Sequence, residues 1–258
     1  MQNILFQNRS PATGKGIVRT ARRFSTIWIE PDAFLRYLPV IRWIKRHKPL
    51  KVLEIGSGDF GLSTYLKYPV VKLDLKFNRP SRGSSFPIAA DATTIPFENN
   101  SFDFVFAVDL LEHVSPEWRG KVVEEMVRVS QDCTLAVFPC GKDSWVQDHE
   151  LSLLFEKERG EELAILRVHE KTPFPEENEI LQWVRPISSK IESWHLQKSF
   201  NLSLREKLIR GWLRQTPWVY RAIEWFLMFP SIFMFFHFGR CYRRILSIKI
   251  RRECQDIN

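Results

Sequence analysis

The sequence predicts an α/β chain built on a doubly wound, mostly parallel sheet, and three observations carry that expectation. Short apolar runs alternate with stretches of helical period between residues 51 and 139, the pattern of strands joined by crossover helices. The first run leads into glycines at 56, 58 and 61, a G-x-G-x-x-G turn whose missing Cβ atoms let the backbone turn tightly and approach a ligand. The second run, Val70-Val71-Lys72-Leu73, ends on Asp74, about where a nucleotide-binding sheet places its ribose-binding acid.

A chain of 258 residues is long for one domain and short for two, so one core fold with additions is expected. These are a basic arm and helix over 1–50, the core over 51–204 with an insert at about 145–190, an aromatic and basic helical insert over 205–239, and a last strand with a basic tail over 240–258. In the first part, Pro31 and Asp32 open a helix in which Phe34, Leu35, Leu38, Ile41, Trp43 and Ile44 recur at helical spacing. Pro39 should kink or divide it, and Pro49 closes it. Strands follow at 51–55 and 70–75, with a helix starting over 62–67 between them. The stretch 76–85, rich in Arg, Pro, Gly and Ser, reads as a loop replacing a helix. A third strand over 86–90 ends on Asp91. Residues 102–108 form a continuous apolar run, bar Asp103, as in a strand buried on both faces. Residues 116–129 form a helix with Pro116 in its first turn, and 133–138 a strand stopped by Pro139 and Gly141. Helices are expected over 145–159 and 176–184, and strands over 191–200 and 242–250, so the sheet has seven strands with a helical insert before the last.

Charge divides the chain. Residues 1–50 carry ten Lys/Arg against two Asp/Glu, and 205–258 carry eleven against four, whereas the middle is net acidic. Nucleic acid is therefore not an expected partner of the central fold. Basic ends around an acidic core fit arms that meet an anionic surface, either lipid headgroups or a phosphate-bearing substrate, or a solvated basic periphery. Residues 225–238 are nearly all apolar, interrupted by Pro230, Ser231 and His237. As a helix they would reach roughly 21 Å, short of the ~30 Å hydrocarbon core. Arginines at 210, 214, 221, 240, 243 and 244, with Trp212, Trp218, Tyr220 and Trp225, suit a headgroup boundary; a buried helical cap or dimer contact is the alternative. Cys133, Cys140, Cys241 and Cys254 fit no zinc spacing and read as reduced thiols. With no leader pattern at the start, a cytoplasmic, possibly membrane-associated protein is expected, and no metal.

The glycine turn could serve several cofactors, and charge separates them. A pyrophosphate would gain nothing from Glu54, two residues before Gly56, whereas the ammonium and sulfonium of S-adenosylmethionine suit nearby acids.

On these residues the chain resembles the class I S-adenosylmethionine-dependent methyltransferases, whose fold is a Rossmann-like seven-stranded sheet. Residues 52–61 are similar to their first motif, and 91–103 to the adenine-side loop and entry to strand four. The block Val108-Asp109-Leu110-Leu111-Glu112-His113-Val114 is similar to the segment after that strand, and Glu125-Met126-Val127-Arg128-Val129 to the helix before strand five. The resemblance covers about 51–139 and is closest to the subgroup called type 11. It implies a Rossmann-like donor site. The backbone around Gly56, Ser57 and Gly58 would hold the methionine portion, with Glu54 near its ammonium. Asp74, with Leu75 beside it, would bind the ribose hydroxyls, Asp91 the adenine amino group with Ala92 beside the ring, and Asp109 would lie by the methionyl end and the sulfonium. Ser57 and Asp59-Phe60 depart from the family's usual Cys-Gly-Thr-Gly wording, and the loop after Asp74 is unusually rich in Arg and Pro.

His113 is a candidate base for a substrate hydroxyl, since an ordinary imidazole titrates near neutrality, or a structural histidine at a helix start. The acceptor is expected among the later residues. His149-Glu150 and His169-Glu170, before Thr172-Pro173-Phe174-Pro175, are similar to an insert of methyltransferases among bacterial polysaccharide enzymes, although there the order is Glu-His. On that likeness His149, His169 and Glu170 are candidate acceptor contacts. A glycan or lipid-linked precursor would suit the basic, aromatic insert; a quinone or other small apolar acceptor would suit it too. A non-catalytic module of the same fold at a membrane is the rival from another class.

Overall fold

The structure is a computed structural model that describes residues 33–79, 84–160, 172–213 and 237–251. Helix α1 (Ala33–His47) leads to β1 (Val52–Ile55), a 3-10 turn (Leu62–Thr64), β2 (Val70–Asp74), β3 (Ser85–Ala89) and β4 (Phe102–Val108). A second 3-10 turn (Leu111–His113) precedes α2 (Pro116–Val129), β5 (Ser130–Pro139), α3 (Lys142–Arg159) and α4 (Glu177–Val184). A third (Arg185–Lys190) leads to β6 (Ile191–Asn201), α5 (Leu202–Leu213) and β7 (Cys241–Ile250).

The seven strands form one sheet in the order β3-β2-β1-β4-β5-β7-β6. The first five pair in parallel, and β7 pairs antiparallel with β5 and β6. Strand order reverses between β1 and β4, so their carboxyl ends flank the crevice where sheets of this kind bind ligands.

Period-two alternation in β4 feeds two cores. Val105 and Ala107 join a cluster with α2 and α4, while Phe104, Phe106 and Val108 join one with Val40, Ile41 and Ile44 of α1; Phe102, set off from Phe104 by a register shift, joins the first. Trp43 of α1 stacks on Phe104. In β1 the same alternation puts Leu53 and Ile55 in the first cluster and Val52 in the second. Glu54 therefore faces the α1 side.

Two buried polar networks fix the outer helices. Arg205 of α5 pairs with Asp148 of α3 at 2.8 Å, both almost fully buried, and Asp148 also accepts the Tyr242 hydroxyl of β7 at 2.7 Å. Arg119 of α2 is fully buried. Its Nε donates to the Leu111 and Val114 carbonyls at 3.0 and 3.1 Å, and its other nitrogens reach Glu179 and the Pro173 carbonyl. One guanidinium thus holds the turn after β4, α2 and the lead into α4.

Three local expectations need correction. Pro39 does not divide α1 into two elements; burial of Tyr37, Leu38, Val40, Ile41 and Ile44 holds one helix through the missing hydrogen bond. The helix expected from residue 62 is a single 3-10 turn, because Pro69 and β2 follow closely. β5 begins three residues earlier than expected, at Ser130. The arm over 1–32, most of the apolar block 225–238, Cys254, His169 and Glu170 lie outside the described residues. Cys133, Cys140 and Cys241 are buried free thiols, with burial pushing their pKa values up.

Arg119→Met keeps the bulk but strands three carbonyls and Glu179. It should cost about 3 kcal/mol in urea unfolding, and a loss below about 1 kcal/mol would show that the network does not join these elements.

Candidate functional site

The centre of the site is a turn held from below. Gly56, Gly58 and Gly61 all have positive φ, at 74°, 53° and 77°. A Cβ on Gly56 would come within 2.8 Å of Leu110, and one on Gly61 within 2.6 Å of Glu54 Oε2. Only Gly58 looks into open space. The first and third glycines are therefore required by packing inside the protein, and the middle one presents the open surface.

Glu54 is the post under the turn. It is fully buried, and its carboxylate accepts the Leu62 amide at 3.0 Å and the Tyr37 hydroxyl at 2.9 Å. Burial pushes its pKa up to about 7, against the lowering influence of these two donors. It shapes the turn from the side facing α1 and has no exposed surface to offer a ligand's ammonium. Asp74, at the end of β2, reaches across instead: its Oδ2 accepts the Gly58 amide at 2.7 Å. Leu75 beyond it is exposed. Ser57 is buried and donates to the Gly58 carbonyl. Asp59 accepts the amides of Asn78 and Arg79, which fastens the turn to the loop after β2.

Asp91 lies two residues beyond β3, whose partner Asp74 accepts the Ala90 amide. Its Oδ1 accepts both the amide and hydroxyl of Thr93 at 2.7 Å, and these bonds lower its pKa. Ala92 packs half-buried against the core. Hydrogen bonds thus link the glycine turn to Asp74, and Asp74 to the residue before Asp91.

Asp109 closes the other edge. It stands just past β4 in the left-handed region, φ 50°, which Asp tolerates better than most side chains. Its carboxylate takes Arg36 of α1 and, at 3.0 and 3.2 Å, Arg243 of β7. Register explains Arg243: it sits opposite Pro139 at the carboxyl end of β5, beside the end of β4. Glu112, in the following turn, is almost fully buried, and neither carboxylate oxygen has a partner on another residue. Burial first, and the charge of Asp109 second, push its pKa well up.

His113 is exposed at the end of that turn. His149 is exposed on α3 and stacks on Trp145 at 5.9 Å. No cluster of three potential metal ligands occurs among the described residues. Tyr37, Arg36, Arg243 and the partnerless burial of Glu112 are the features that sequence reasoning missed. Tyr37 and Arg36 fall within the expected helix but outside its apolar pattern. Arg243 reads from sequence as a strand residue and as one of the arginines suited to a headgroup boundary, whereas it is buried on Asp109. Only topology brings them to the crevice.

Residues 53–136 match a family model described as a methyltransferase domain. The chain carries a methyltransferase domain. A search of curated proteins returns no match. Among solved structures, the PH0226 protein of Pyrococcus horikoshii is 15% identical with a TM-score of 0.50, over 88% of this chain and 93% of that one. A Methanosarcina mazei S-adenosylmethionine-dependent methyltransferase is 16% identical at TM-score 0.45, over 83% and 97%. A Haemonchus contortus phosphoethanolamine N-methyltransferase solved with S-adenosyl-L-methionine is 14% identical at TM-score 0.49, over 93% and 62%. At 15% identity the likeness to the PH0226 protein is one of fold, and it agrees with the Rossmann-like seven-stranded sheet of this chain.

The buried acid under the turn makes stability pH-dependent in a defined direction. A carboxyl whose folded pKa is raised from 4.5 to about 7 binds its proton more tightly in the folded chain. Its contribution to stability is full below the unfolded value and declines as pH rises to about 7. Against a non-titrating Glu54→Gln chain, wild-type stability should therefore fall by roughly 3 kcal/mol between about pH 4.5 and 8 in urea melts. A difference independent of pH would mean that folding does not shift the pKa of Glu54.

Proposed function

We propose that this methyltransferase binds S-adenosylmethionine across the glycine turn and transfers its methyl group to an oxygen or nitrogen of a glycan or lipid-linked acceptor. One observation carries the choice of donor: the turn has already spent the amides that a phosphate would need. A pyrophosphate sits on free amides at a helix N-terminus. Here the helix is one 3-10 turn, Glu54 takes the Leu62 amide and Asp74 the Gly58 amide. Carboxylates at 74 and 91 with open space above Gly58 suit a cationic, ribose-bearing ligand instead.

In this reading the free Oδ1 side of Asp74 and the turn at 91–93 receive the ribose and adenine, and the Gly56–Gly58 backbone receives the methionine portion. The donor supplies an electrophilic methyl on a sulfonium sulfur. The protein's part is to hold the acceptor atom in line with that methyl and to exclude water, which can contribute ~7–11 kcal/mol. His113, exposed at the crevice turn, is the candidate to take the acceptor's proton. The lipid-linked acceptor rests on the arginine- and tryptophan-rich composition of 205–239; among the described residues no helix is long and apolar enough to cross a membrane.

Asp74→Ala should weaken binding of the demethylated product, S-adenosylhomocysteine, by at least about tenfold in calorimetry, or ~1.4 kcal/mol. Unchanged affinity would remove Asp74 from the donor site, and no binding by the wild type would defeat the enzyme reading.

A further inference from the structure

The sheet ends on β6, far from the donor edge. This strand lies last in the order and pairs on one side with β7; among the described residues no strand stands on its other side. It is 11 residues long, about twice the usual strand, and a long open edge offers a row of backbone donors and acceptors to another chain. A register shift between Ile191 and Ser193 and the left-handed Phe200, φ 64°, bound its regular stretch. Glu192, His195, Gln197 and Lys198 are exposed along it. Trp194 and Leu196 are half-buried against the core that the sheet shares with α2 and α4.

Charges on an edge strand ordinarily deter pairing, and neither Glu192 nor Lys198 has an ion-pair partner among the described residues. Pairing of the strand with its own copy reverses their effect. A symmetric antiparallel contact keeps each face of the sheet on one side, so one residue meets its own copy at the two-fold axis. Centred on His195, such a contact sets Glu192 opposite Lys198, Ser193 opposite Gln197 and Trp194 opposite Leu196, each pair occurring twice. Centred on Trp194 it would oppose Lys198 to Lys190, and centred on Leu196 it would oppose Glu192 to Phe200. The strand is thus self-complementary in one register. Alternation puts Lys198 on the face of Trp194 and Leu196. The register shift brings Glu192 to that face too, where it lines a groove of about 310 Å³ with Trp194, Ile191, Val184 and the exposed Leu181.

We propose that β6 is the contact of a homodimer, in which two copies of this chain join antiparallel about an axis at His195. Trp194 and Leu196 of each copy extend one apolar row across the join, and a Glu192–Lys198 pair closes it at either end. The groove lies where the second copy's chain runs on past its own Lys198. Opposite charges and aromatic–aliphatic neighbours are the pairs that stabilise adjacent strands, and the backbone ladder supplies the rest. The two seven-stranded sheets become one continuous sheet. Both crevices stay open, because they lie between β1 and β4 and the join is at the far edge.

Sedimentation velocity of the full chain over a range of concentrations tests this. Wild type should pass from monomer to dimer as concentration rises. Lys198→Glu and Glu192→Lys should each weaken the dimer by about tenfold, since each turns two attractions into two repulsions. The double variant exchanges the charges and should return to within about threefold of wild type. Lys45→Glu makes the same charge change at an exposed position of α1 and should leave the dimer as it is. Both edge side chains are exposed, so every variant should keep the wild-type urea midpoint. A chain that stays monomeric at all concentrations overturns the proposal and leaves the edge to another occupant. A double variant no better than the single ones, or a loss in Lys45→Glu equal to that in Lys198→Glu, overturns it too. A dimer indifferent to all these substitutions joins through another surface, and the proposal fails equally.

Discussion

The crevice depends on one buried carboxyl. Glu54 occupies a strand position whose alternation would otherwise call for an apolar residue against α1, and a buried acid without partners is costly. Here it has them: the Tyr37 hydroxyl from α1 and the Leu62 amide from the turn itself. Gly61 has no Cβ because the carboxylate fills that space. Strand, helix and turn are therefore locked by one group, and the open face of Gly58 is what remains for a ligand.

A second constraint acts across the crevice. Asp109 ends the central strand in a left-handed conformation and is held between α1 and β7 by Arg36 and Arg243. Because β7 runs antiparallel beside β5, its early residues lie at the carboxyl end of the sheet. A strand inserted late in the chain thus supplies a charge to the site formed by the early strands. Carboxylates at 74 and 91 stand on the donor edge, and Arg36 and Arg243 hold Asp109 on the other.

Much of this fold was legible in the sequence because single segments encode it. The run at 102–108 reads as a strand buried on both faces, and Phe104 and Val105 do enter opposite cores; the helix at 116–129 is marked by Pro116 and its valine face. The glycine turn and Asp74 were legible as a unit because their spacing is local, 16 residues between Gly58 and its acceptor. What could not be read depends on distant partners. Arg36 and Arg243 lie 73 and 134 residues from Asp109, and nothing in their own segments sets them apart from other basic residues. Glu54 was legible as an acid at the turn, but which way its carboxylate points is decided by Tyr37, a residue of a helix that reads as packing alone.

The central claim is that the glycine turn and the 91–95 turn together hold S-adenosylmethionine. Hydrogen–deuterium exchange of the full chain, with and without S-adenosylhomocysteine, tests it at the level of single peptides. The account predicts slowed exchange of amides in 56–62 and 91–95, with the two segments protected at the same ligand concentration. Binding that leaves both segments unprotected, or that protects only residues outside the carboxyl ends of β1, β2 and β4, would contradict it.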